Sequence, residues 1–392
     1  MSNVLRTDSE LFAGGPPGRL QRSLGLIKPD EPRIIHRTIF VAVVGWIPLV
    51  VLAAVQDSAL WGDNMRSLLL DFAVYARSLI AAPLFVLAEL VCIPQLGRIV
   101  RHFLDAGLVP ESERPRFDSA IISTRRLRDS KAAEVITIVL TYVLIIALFR
   151  HVPPGEFPAW HKSGSGEHQV LSLAGWWHSL VSIPLLNVLF FGWLWRLFLW
   201  GRLLLLLSRL DLQLIPAHPD HAAGLKFVSQ SLRAFSLLGC ALGAIVAGFV
   251  ANHIVHAGVP PTAYLYLIGG LVVGVVLLFS GPLFMFSDKL LRAQRQGIFE
   301  YGALATGEGQ QFERKWLNRV GPLDEGVLEV PDFSATTDLY QVVSNVYEMG
   351  TIPLDLKDLV PLAAATLLPF VLVALMTVPL DVLLRQLANL LL

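Results

Sequence analysis

Long apolar runs alternate with polar segments along the whole chain. A membrane-spanning helix needs about 20 mostly apolar residues, and seven runs are close to this length. Runs this long and this continuously apolar indicate helices, because the strands of a membrane barrel are shorter and alternate in polarity. The pattern predicts an all-α, polytopic transmembrane bundle of about seven spans. The spans lie at approximately 38–56, 73–96, 134–150, 178–207, 234–255, 263–286 and 358–379.

The polar segments divide the chain into four parts, the last of which ends in a stretch too short for another crossing. In "PLDVLLRQLANLLL", Asp381 and Arg385 are spaced i,i+4 among leucines. This spacing predicts an amphipathic helix at the interface or packed on the bundle. The four parts are a cytoplasmic N-terminal segment at 1–37, a six-helix region at 38–286 with a cytoplasmic helical loop at 97–133, a cytoplasmic helical segment at 287–357, and the seventh span with the amphipathic helix at 358–392.

The loop at 97–133 contains helix signals of its own. The second helix continues past the membrane and breaks at a glycine. A capped helix then begins near Ser112 or Glu113 and runs into the third span. In the later cytoplasmic segment, a basic helix comes first, and Asp332 or Ser334 caps a second helix.

The distribution of Lys and Arg predicts the orientation. One side gathers 25 basic residues: the N-terminus, the 97–133 loop, the end of the fourth span with its following loop, and 287–357. The other side has four, namely Arg66, Arg150, Lys162 and Arg385. Because basic loops stay in the cytoplasm, the N-terminus is expected inside and the C-terminus outside. This bias requires an odd number of spans.

Composition agrees with a membrane protein and excludes several other classes. Hydrophobic residues make up 54% of the chain and charged residues only 16%, against about a quarter in soluble proteins. Basic and acidic residues balance at 31 each, so no positive excess points to nucleic acid. Cys92 and Cys240 lie inside apolar runs, which predicts buried, reduced thiols rather than a disulfide framework. The polar N-terminus lacks an apolar core, so no secretory signal is expected.

Charged residues inside the predicted spans are the main candidates for function. Arg196 lies about 27 Å along the fourth span from its outer end, and Glu89 reaches a similar depth on the second. A charge in mid-membrane costs about 2.5–3.5 kcal/mol on insertion scales, so the two residues are expected to face the interior and to pair. Three interpretations stay open: a static ion pair that fixes helix packing, a solute or ion pathway, and simple snorkelling.

Two further arginines belong to the candidate pathway or gate. Arg202 lies about 9 Å beyond Arg196 and could snorkel to the headgroups. Arg77 is interpreted as an anchor at the outer interface in preference to a pore residue. If Arg77, Arg196 and Arg202 lined one route, cations would outnumber Glu89, and an anion would be the favoured solute.

Small residues recur on the fifth and sixth spans. They are Gly239, Gly243 and Gly248 on the fifth span, and Gly270 and Gly274 on the sixth. Such spacings let helix backbones approach closely. The fifth and sixth spans are therefore expected to pack tightly, within the bundle or across an oligomer contact.

Six of the ten histidines fall on the predicted outer side: His151, His161, His168, His178, His253 and His256. His253 and His256 are spaced i,i+3 and could share a metal ion. Few carboxylates and no cysteine accompany them, and the spacing matches no zinc signature. The favoured interpretation is interfacial polar residues, with a metal site or a pH-responsive surface as alternatives.

The loop "RLDLQLIPAHPDHAAGL" before the fifth span is the most distinctive polar stretch. Pro216 and Pro219 favour an extended path, and Asp220 can cap the following helix. His218, Asp220 and His221 could bind a ligand, but residues this close in sequence do not easily converge on one ion. A rigid structural corner is therefore favoured over a ligand site.

Several motifs occur in an order that resembles a known family. They are "SLGLIKPDEPR", "LDFAVYARSLIAAPLFVLAE", "RHFLDAGLVPESERPRFD", "RLDLQLIPAHPDHAAGL", "EYGALA" with "FERKW", and the closing "IPLDLKDLVPLAAATLLPFVLVALMTVPLDVLLRQL". Over nearly the whole chain they resemble a family of uncharacterised bacterial integral membrane proteins, which often carry His-Pro-Asp-x-x-Gly-Gly-Leu before the fifth span. Ala223 replaces the first glycine of that pair. The resemblance implies a bacterial inner-membrane location and brings no catalytic or binding residues.

These observations leave two functions of different classes. The first is a channel or transporter for an ion, anion slightly favoured, or a small polar solute, with Glu89 and Arg196 as gate or selectivity elements. The second is a scaffold or sensor that binds partners through its cytoplasmic segments. An enzyme is not expected, because G-x-S-x-G, H-E-x-x-H and Walker signatures are missing from the sequence. The expected partners are the bilayer, a small solute and further copies of the chain, without a cofactor.

Overall fold

The computed structural model describes residues 11–23, 25–26, 33–57, 62–151, 158–163, 170–317 and 332–377. It is 83% helical, and the described part of the chain has one small sheet. In this sheet β1 (Lys162–Ser163) pairs antiparallel with β2 (Val170–Leu171). The all-α architecture predicted from the apolar pattern is confirmed.

Seven helices of the described residues are long and apolar enough to cross a membrane, so the chain is a multi-pass membrane protein. We call the side on which the first span begins the inner side. The seven spans are Ile34–Gln56, Phe72–Asp105, Lys131–His151, Leu173–Ser208, Lys226–Ala257, Pro261–Trp316 and Leu356–Met376.

Four spans contain turns that are not α-helical. The second joins Phe72–Tyr75, the π-helical Ala76–Ala81 and Ala82–Asp105. The fourth joins Leu173–Trp177, the π-helical His178–Ser182 and Ile183–Ser208. The fifth joins the 3₁₀ turn Lys226–Ser229, Gln230–Ala234 and Ser236–Ala257. The sixth joins the 3₁₀ turn Pro261–Tyr264, Leu265–Ser280, the 3₁₀ turn Gly281–Phe286 and Ser287–Trp316.

Shorter helices lie between the spans. They are Gly18–Ser23, Asp63–Leu69, the 3₁₀ turn Glu111–Glu113, Arg114–Arg128, the 3₁₀ turn Ala159–His161, and Asp332–Tyr347. The helix that forms the seventh span extends one residue beyond it, as Leu356–Thr377. The helix expected to run from Ser112 or Glu113 into the third span instead ends at Arg128, because the chain turns at Asp129 before the third span begins. The predicted amphipathic helix after the seventh span lies outside the described residues.

The first span shows how the sequence sorts its faces. Positions on one stripe at a spacing of four are buried, and positions on another are exposed as a surface for lipid. The buried stripe is Arg37, Val41, Gly45, Leu49 and Ala53. The exposed stripe is Ile35, Ile39, Val43, Ile47, Val51 and Val55. The charged Arg37 therefore faces the bundle and not the lipid.

Glycines on the fifth span allow close packing within the bundle, and those of the sixth span do not take part in it. A Cβ on Gly243 would lie 2.0 Å from the carbonyl oxygen of Thr366 on the seventh span. A Cβ on Gly248 would lie 2.4 Å from Ala76 on the second span. By contrast, a Cβ on Gly270 or Gly274 of the sixth span would meet nothing within 4 Å. The fifth span therefore makes the predicted tight packing within the bundle, on the seventh and second spans, whereas the described residues place nothing against these two glycines of the sixth span.

Candidate functional site: a buried Arg–Glu–Arg triad

Three charged residues from three spans meet inside the bundle. Glu89 of the second span and Arg196 of the fourth form the expected ion pair, with Arg196 Nη2 2.9 Å from Glu89 Oε1. Arg37 of the first span completes the cluster, with Nη1 2.7 Å from Oε2 and Nη2 3.1 Å from Oε1. Arg37, Glu89 and Arg196 are 3%, 8% and 5% exposed. We call these residues the triad.

The triad carries one net positive charge in a buried place. Desolvating ions is costly, and the attraction offsets this cost only when the geometry and remaining hydrogen bonds are good. Arg37 satisfies the first condition with a two-point contact to the carboxylate. Arg196 adds a cation–π contact, its guanidinium carbon lying 4.8 Å from the Trp193 ring centre. In the described part of the chain, however, Nε of both arginines has no hydrogen-bond acceptor.

By helical rise, the triad lies toward the inner ends of the spans that contribute to it. Glu89 is 18 residues along the second span from Asp71, or about 27 Å. Gln95 lies a further 9 Å or so inward and donates to Gln230 of the fifth span at 3.0 Å. These amides mark a level where the bundle becomes polar again.

An N-terminal stretch, residues 11–18, lies along the fourth span beside the triad. Phe12 packs edge-on against Trp200, with ring centres 5.8 Å apart. The carbonyl oxygen of Gly14 accepts from Arg196 Nη2 at 3.0 Å. A Cβ on Gly192 would lie 2.5 Å from the carbonyl oxygen of Pro16.

We call residues 11–18 the N-terminal plug. Its contacts fall on every fourth residue of the fourth span, so the plug follows one face of that helix for about 12 Å. Leu11 and Phe12 are fully buried, and Arg128 Nη1 donates to the carbonyl of Leu11 at 3.0 Å. Non-helical backbone at this depth is tolerated only where protein surrounds it. This part of the predicted cytoplasmic segment 1–37 therefore packs on the bundle.

Sequence reasoning missed both Arg37 and the plug. Arg37 was counted with the N-terminal segment because the apolar run was started at residue 38. The helix begins one turn earlier, at Ile34, and the apolar pair before His36 was the signal for this extension. Nothing in the hydropathy of "LFAGGPPG" separates a buried plug from an exposed tail, so that contact was outside the reach of pattern reasoning.

Arg77 and Arg202 do not join the triad. Arg77 lies in the π-helical turn near the outer end of the second span and donates from Nε to the carbonyl of Ala73 at 3.0 Å. It is 12 residues, about 18 Å, from Glu89 along that span. Arg202 donates from Nη2 to Ser123 Oγ on the inner helix Arg114–Arg128 at 2.6 Å. The three arginines therefore do not line one continuous cluster.

A second polar network lies at the outer end of the bundle. The Asp71 carboxylate accepts from Trp160 Nε1 at 3.0 Å and from Asn252 Nδ2 at 2.7 Å. His161 Nε2 and His178 Nδ1 lie 2.7 Å apart, and the two residues are only 3% and 4% exposed. The expectation that the outer histidines are interfacial is wrong for this pair, because the loop before the fourth span folds His161 onto the bundle. His168 lies outside the described residues.

Burial determines the ionisation of His161, which lies outside the spans. Desolvation, with the positive charges of Arg77 and Lys162, lowers the pKa of His161 to about 4, although Asp71 acts in the opposite direction. The ring is therefore neutral at physiological pH. A neutral ring can share one proton with His178 in a hydrogen bond.

Within the described residues, His253 and His256 belong to no cluster suited to a metal ion. His253 Nδ1 bonds to the carbonyl of Phe249 at 3.0 Å, and His256 Nδ1 to that of Asn252 at 3.0 Å. Each ring is thus turned back onto its own helix. The described residues contain no group of three or more His, Cys, Asp or Glu side chains suited to a metal. Both histidines line an outer cavity of about 420 Å³ that also reaches Asp71.

The loop before the fifth span has the geometry of a structural corner. The Asp220 carboxylate accepts from the backbone N–H groups of Ala222, Gly224 and Lys226 at 2.9, 3.0 and 3.1 Å. His218 Nδ1 lies 2.8 Å from the same carboxylate. Partial burial opposes ionisation, but these backbone hydrogen bonds and His218 together hold the pKa of Asp220 below its usual value.

The His221 ring lies near a different residue, with its Nδ1 3.9 Å from Glu348 Oε2. Its carbonyl accepts from Gly350 N at 2.8 Å, which ties the corner to the turn before the seventh span. His218 and Asp220, without His221, line a cavity of about 620 Å³. The three residues therefore do not converge on one ligand, and the corner interpretation is the one that the geometry supports.

No family model, no curated protein and no solved structure matches the chain. The class of protein is therefore defined by fold and site alone. It is a multi-pass membrane protein whose described residues form seven helices long enough to cross a membrane and a buried Arg–Glu–Arg triad. The resemblance of its motifs to a bacterial membrane family stays a prediction.

Proposed function

We propose that the protein is a channel or transporter for a small anion or polar solute, and that the structure represents a closed state. The observation that carries this proposal is the triad: three spans place a net positive charge inside the bundle, and two buried guanidinium Nε–H groups have no acceptor among the described residues. Buried charges in membrane spans are costly and typically mark solute pathways. Unused cationic donors would suit an anion.

The N-terminal plug supports a closed state. Its backbone lies against the fourth span and occupies one donor of Arg196. The described cavities of about 620, 480, 440 and 420 Å³ are lined by residues other than those of the triad. A solute arriving from the inner side would reach Arg196 once the plug has left this face.

The outer network supports an entrance on the opposite side. The second and fourth spans each have a π-helical turn here, at Ala76–Ala81 and His178–Ser182. Such turns are rare and occur often at functional sites. The outer cavity reaches Asp71, the residue that caps the start of the second span before its π-helical turn. The resemblance of the motifs to a bacterial family is the ground for proposing a location in the bacterial inner membrane. The exposed glycines of the sixth span are the ground for proposing a homo-oligomer.

A scaffold or sensor is the second candidate, and one observation favours it. The helices Ser287–Trp316 and Asp332–Tyr347 pack together outside the apolar region and leave a cleft of about 440 Å³. Tyr340 and Tyr347 line this cleft. Exposed aromatic side chains are common in protein–protein interfaces.

Flux through proteoliposomes tests the proposal. The full chain is reconstituted, and the efflux of chloride, nitrate and phosphate is compared with that from protein-free vesicles. Arg196→Ala and Glu89→Gln are expected to change the flux, because each alters the charge beside the pathway. Flux that never exceeds the vesicle leak would exclude transport of these anions, and equal flux in both variants and the parent would remove the triad from the mechanism.

The plug can be tested without touching the triad. Gly192→Ala puts a Cβ 2.5 Å from the carbonyl oxygen of Pro16, so it is expected to dislodge the plug and raise the flux. Gly201→Ala on the same span is the matched control, because its Cβ would meet Pro282 at an ordinary 3.7 Å. Equal flux in the two variants would contradict the role of the plug and leave the role of the triad open.

A further inference from the structure

A groove on the lipid-facing side of the bundle separates the fourth and sixth spans near the inner side. Its volume is about 480 Å³. The fourth span contributes Leu194, Phe198 and Arg202, and the sixth contributes Leu278 and Met285. Among the described residues that line it, Arg202 alone is charged.

The shape of the groove follows from one glycine. Gly201 has no side chain, and the nearest atoms that a Cβ would meet there belong to Pro282, at 3.7 and 3.8 Å. The 3₁₀ turn Gly281–Phe286 holds the sixth span at this distance. Phe198 and Met285 are 53% and 38% exposed, so the groove is open to the surrounding acyl chains.

The groove is apolar along its length and cationic at its inner end. Leu194 lies eight residues, about 12 Å, from Arg202 toward the middle of the membrane. Arg202 itself lies about 9 Å inward of Arg196, near the level at which headgroups begin. A phospholipid has the same polarity: apolar chains in the membrane and a phosphate at its surface.

Arg202 has donor capacity to spare. Its Nη2 donates to Ser123 Oγ at 2.6 Å, whereas its Nη1 has no acceptor within the part of the chain that the structure describes. No carboxylate of that part pairs with it. A phosphate oxygen would provide the missing acceptor, which is the charge complementarity that selects a headgroup.

A second cation, Arg126, lies one helical turn from Ser123, the residue that Arg202 contacts. Arg126 follows Ser123 by three residues on the inner helix Arg114–Arg128, and side chains at this spacing are neighbours. Arg126 is exposed and has no acidic partner among the described residues, and the exposed Ile122 lies beside it. An exposed apolar residue next to a free arginine is typical of a helix lying at a membrane surface.

We propose that this groove binds an anionic phospholipid, with its phosphate between Arg202 and Arg126 and one acyl chain between the fourth and sixth spans. The site is separate from the triad, and the proposal does not depend on transport. Each arginine near a membrane surface favours anionic lipid by about fivefold in binding. Loss of either side chain should therefore weaken retention of the lipid to about that extent.

Lipid retention by the purified full chain tests this proposal. The protein is equilibrated in detergent micelles that contain equal amounts of phosphatidylglycerol and phosphatidylcholine, and the lipids that stay bound are counted by native mass spectrometry. One phosphatidylglycerol per chain is expected to remain on the parent. Arg202→Gln and Arg126→Gln should each reduce its retention about fivefold. Gly201→Leu should fill the groove and displace the lipid while both arginines remain.

Two controls keep the result interpretable. Arg116→Gln removes an exposed arginine of the same inner helix that already pairs with Glu113 at 3.0 Å, so lipid retention should not change. The thermal transition of each variant shows whether it is folded. Equal retention of the two lipids, or parental retention in Arg202→Gln, would overturn the proposal. So would a groove occupied by a second copy, seen as a dimer that Gly201→Leu dissociates.

Discussion

Arg37 and Glu89, which are 52 positions apart, are joined by two parallel hydrogen bonds of 2.7 and 3.1 Å. Because both nitrogens of the guanidinium fork contact the carboxylate, this contact fixes the orientation of the first span against the second as well as their distance. Arg196 then adds the fourth span through the second lone pair of Oε1. The buried Glu89 carboxylate thus pairs with two buried guanidinium groups.

Replacing that anion should be severe. Glu89→Gln leaves two buried guanidinium groups without a counter-charge, and breaking a buried ion pair typically costs about 3–5 kcal/mol. We expect a fall of this size in the free energy of unfolding, measured in mixed micelles with increasing denaturing detergent. The triple variant Arg37→Met, Glu89→Leu, Arg196→Met should be more stable than Glu89→Gln, since it leaves no unpaired charge. The opposite order would show that the triad is not electrostatically coupled.

The packing of the fifth span on the seventh depends on glycines, which have no side chain to keep the two helices apart. Gly243→Ala would place its Cβ 2.0 Å from a backbone oxygen of Thr366, and backbone cannot rotate away as a side chain can. Overpacking of this kind costs about 1–3 kcal/mol, so the thermal transition in detergent should fall. Gly274→Ala is the matched control: its Cβ meets open space, and alanine is the better helix former. Equal losses in the two variants would argue against a close contact between these spans.

The contrast between these glycines shows how far sequence reasoning reached. The seven spans, and the depth of Glu89 and Arg196, followed from run length and helical rise, since both are local properties of the chain. Which helix packs against a row of glycines, by contrast, depends on residues far away in the sequence. Gly243 and Gly274 look alike in sequence, and only the tertiary arrangement makes one a contact and leaves the other open.

The site was predictable to a similar extent. Two residues of the triad could be paired because they share a depth on neighbouring spans. Arg37 was missed because helix ends cannot be located from hydropathy to better than a turn. The plug was missed because two of its contacts with the fourth span are made by the backbone carbonyls of Gly14 and Pro16, which any sequence can supply, and two apolar residues, Leu11 and Phe12, are too short a run to predict burial.

Substitutions of Ala223 test the backbone conformation of the corner before the fifth span. Its φ of +53° lies in the left-handed region, which costs a non-glycine residue about 1–2 kcal/mol. Ala223→Gly removes this strain, which is stabilising. It also removes a fully buried methyl group and makes the unfolded chain more flexible, and both effects are destabilising. Because these effects oppose each other, we expect the free energy of unfolding to change by less than about 1 kcal/mol. Ala223→Val should cost clearly more, because β-branched residues rarely adopt this conformation. Denaturation of the two variants in detergent gives the comparison, and a well-tolerated valine would contradict the assigned backbone conformation.

His161 should make the stability of the protein depend on pH. Its pKa in the folded state is about 4, because burial and the charges of Arg77 and Lys162 disfavour the protonated ring. In the unfolded chain an ordinary value of about 6.5 applies. Between these two values the unfolded state binds a proton that the folded state does not, so stability falls as the pH drops from about 6.5 toward 4. The loss is at most about 3 kcal/mol over that window.

The slope of stability against pH separates this effect from simple packing. His161→Gln keeps a polar side chain opposite His178 but cannot titrate, so its unfolding free energy should depend less on pH between 6.5 and 4.5 than that of the parent. A lower stability of His161→Gln at every pH would reflect the loss of a hydrogen bond, whereas the slope of stability against pH reports the titration of His161. His256→Gln, at an exposed position on the same side, should keep the parental slope. Parallel curves for His161→Gln and the parent would mean that the buried imidazole does not titrate differently in the folded and unfolded states.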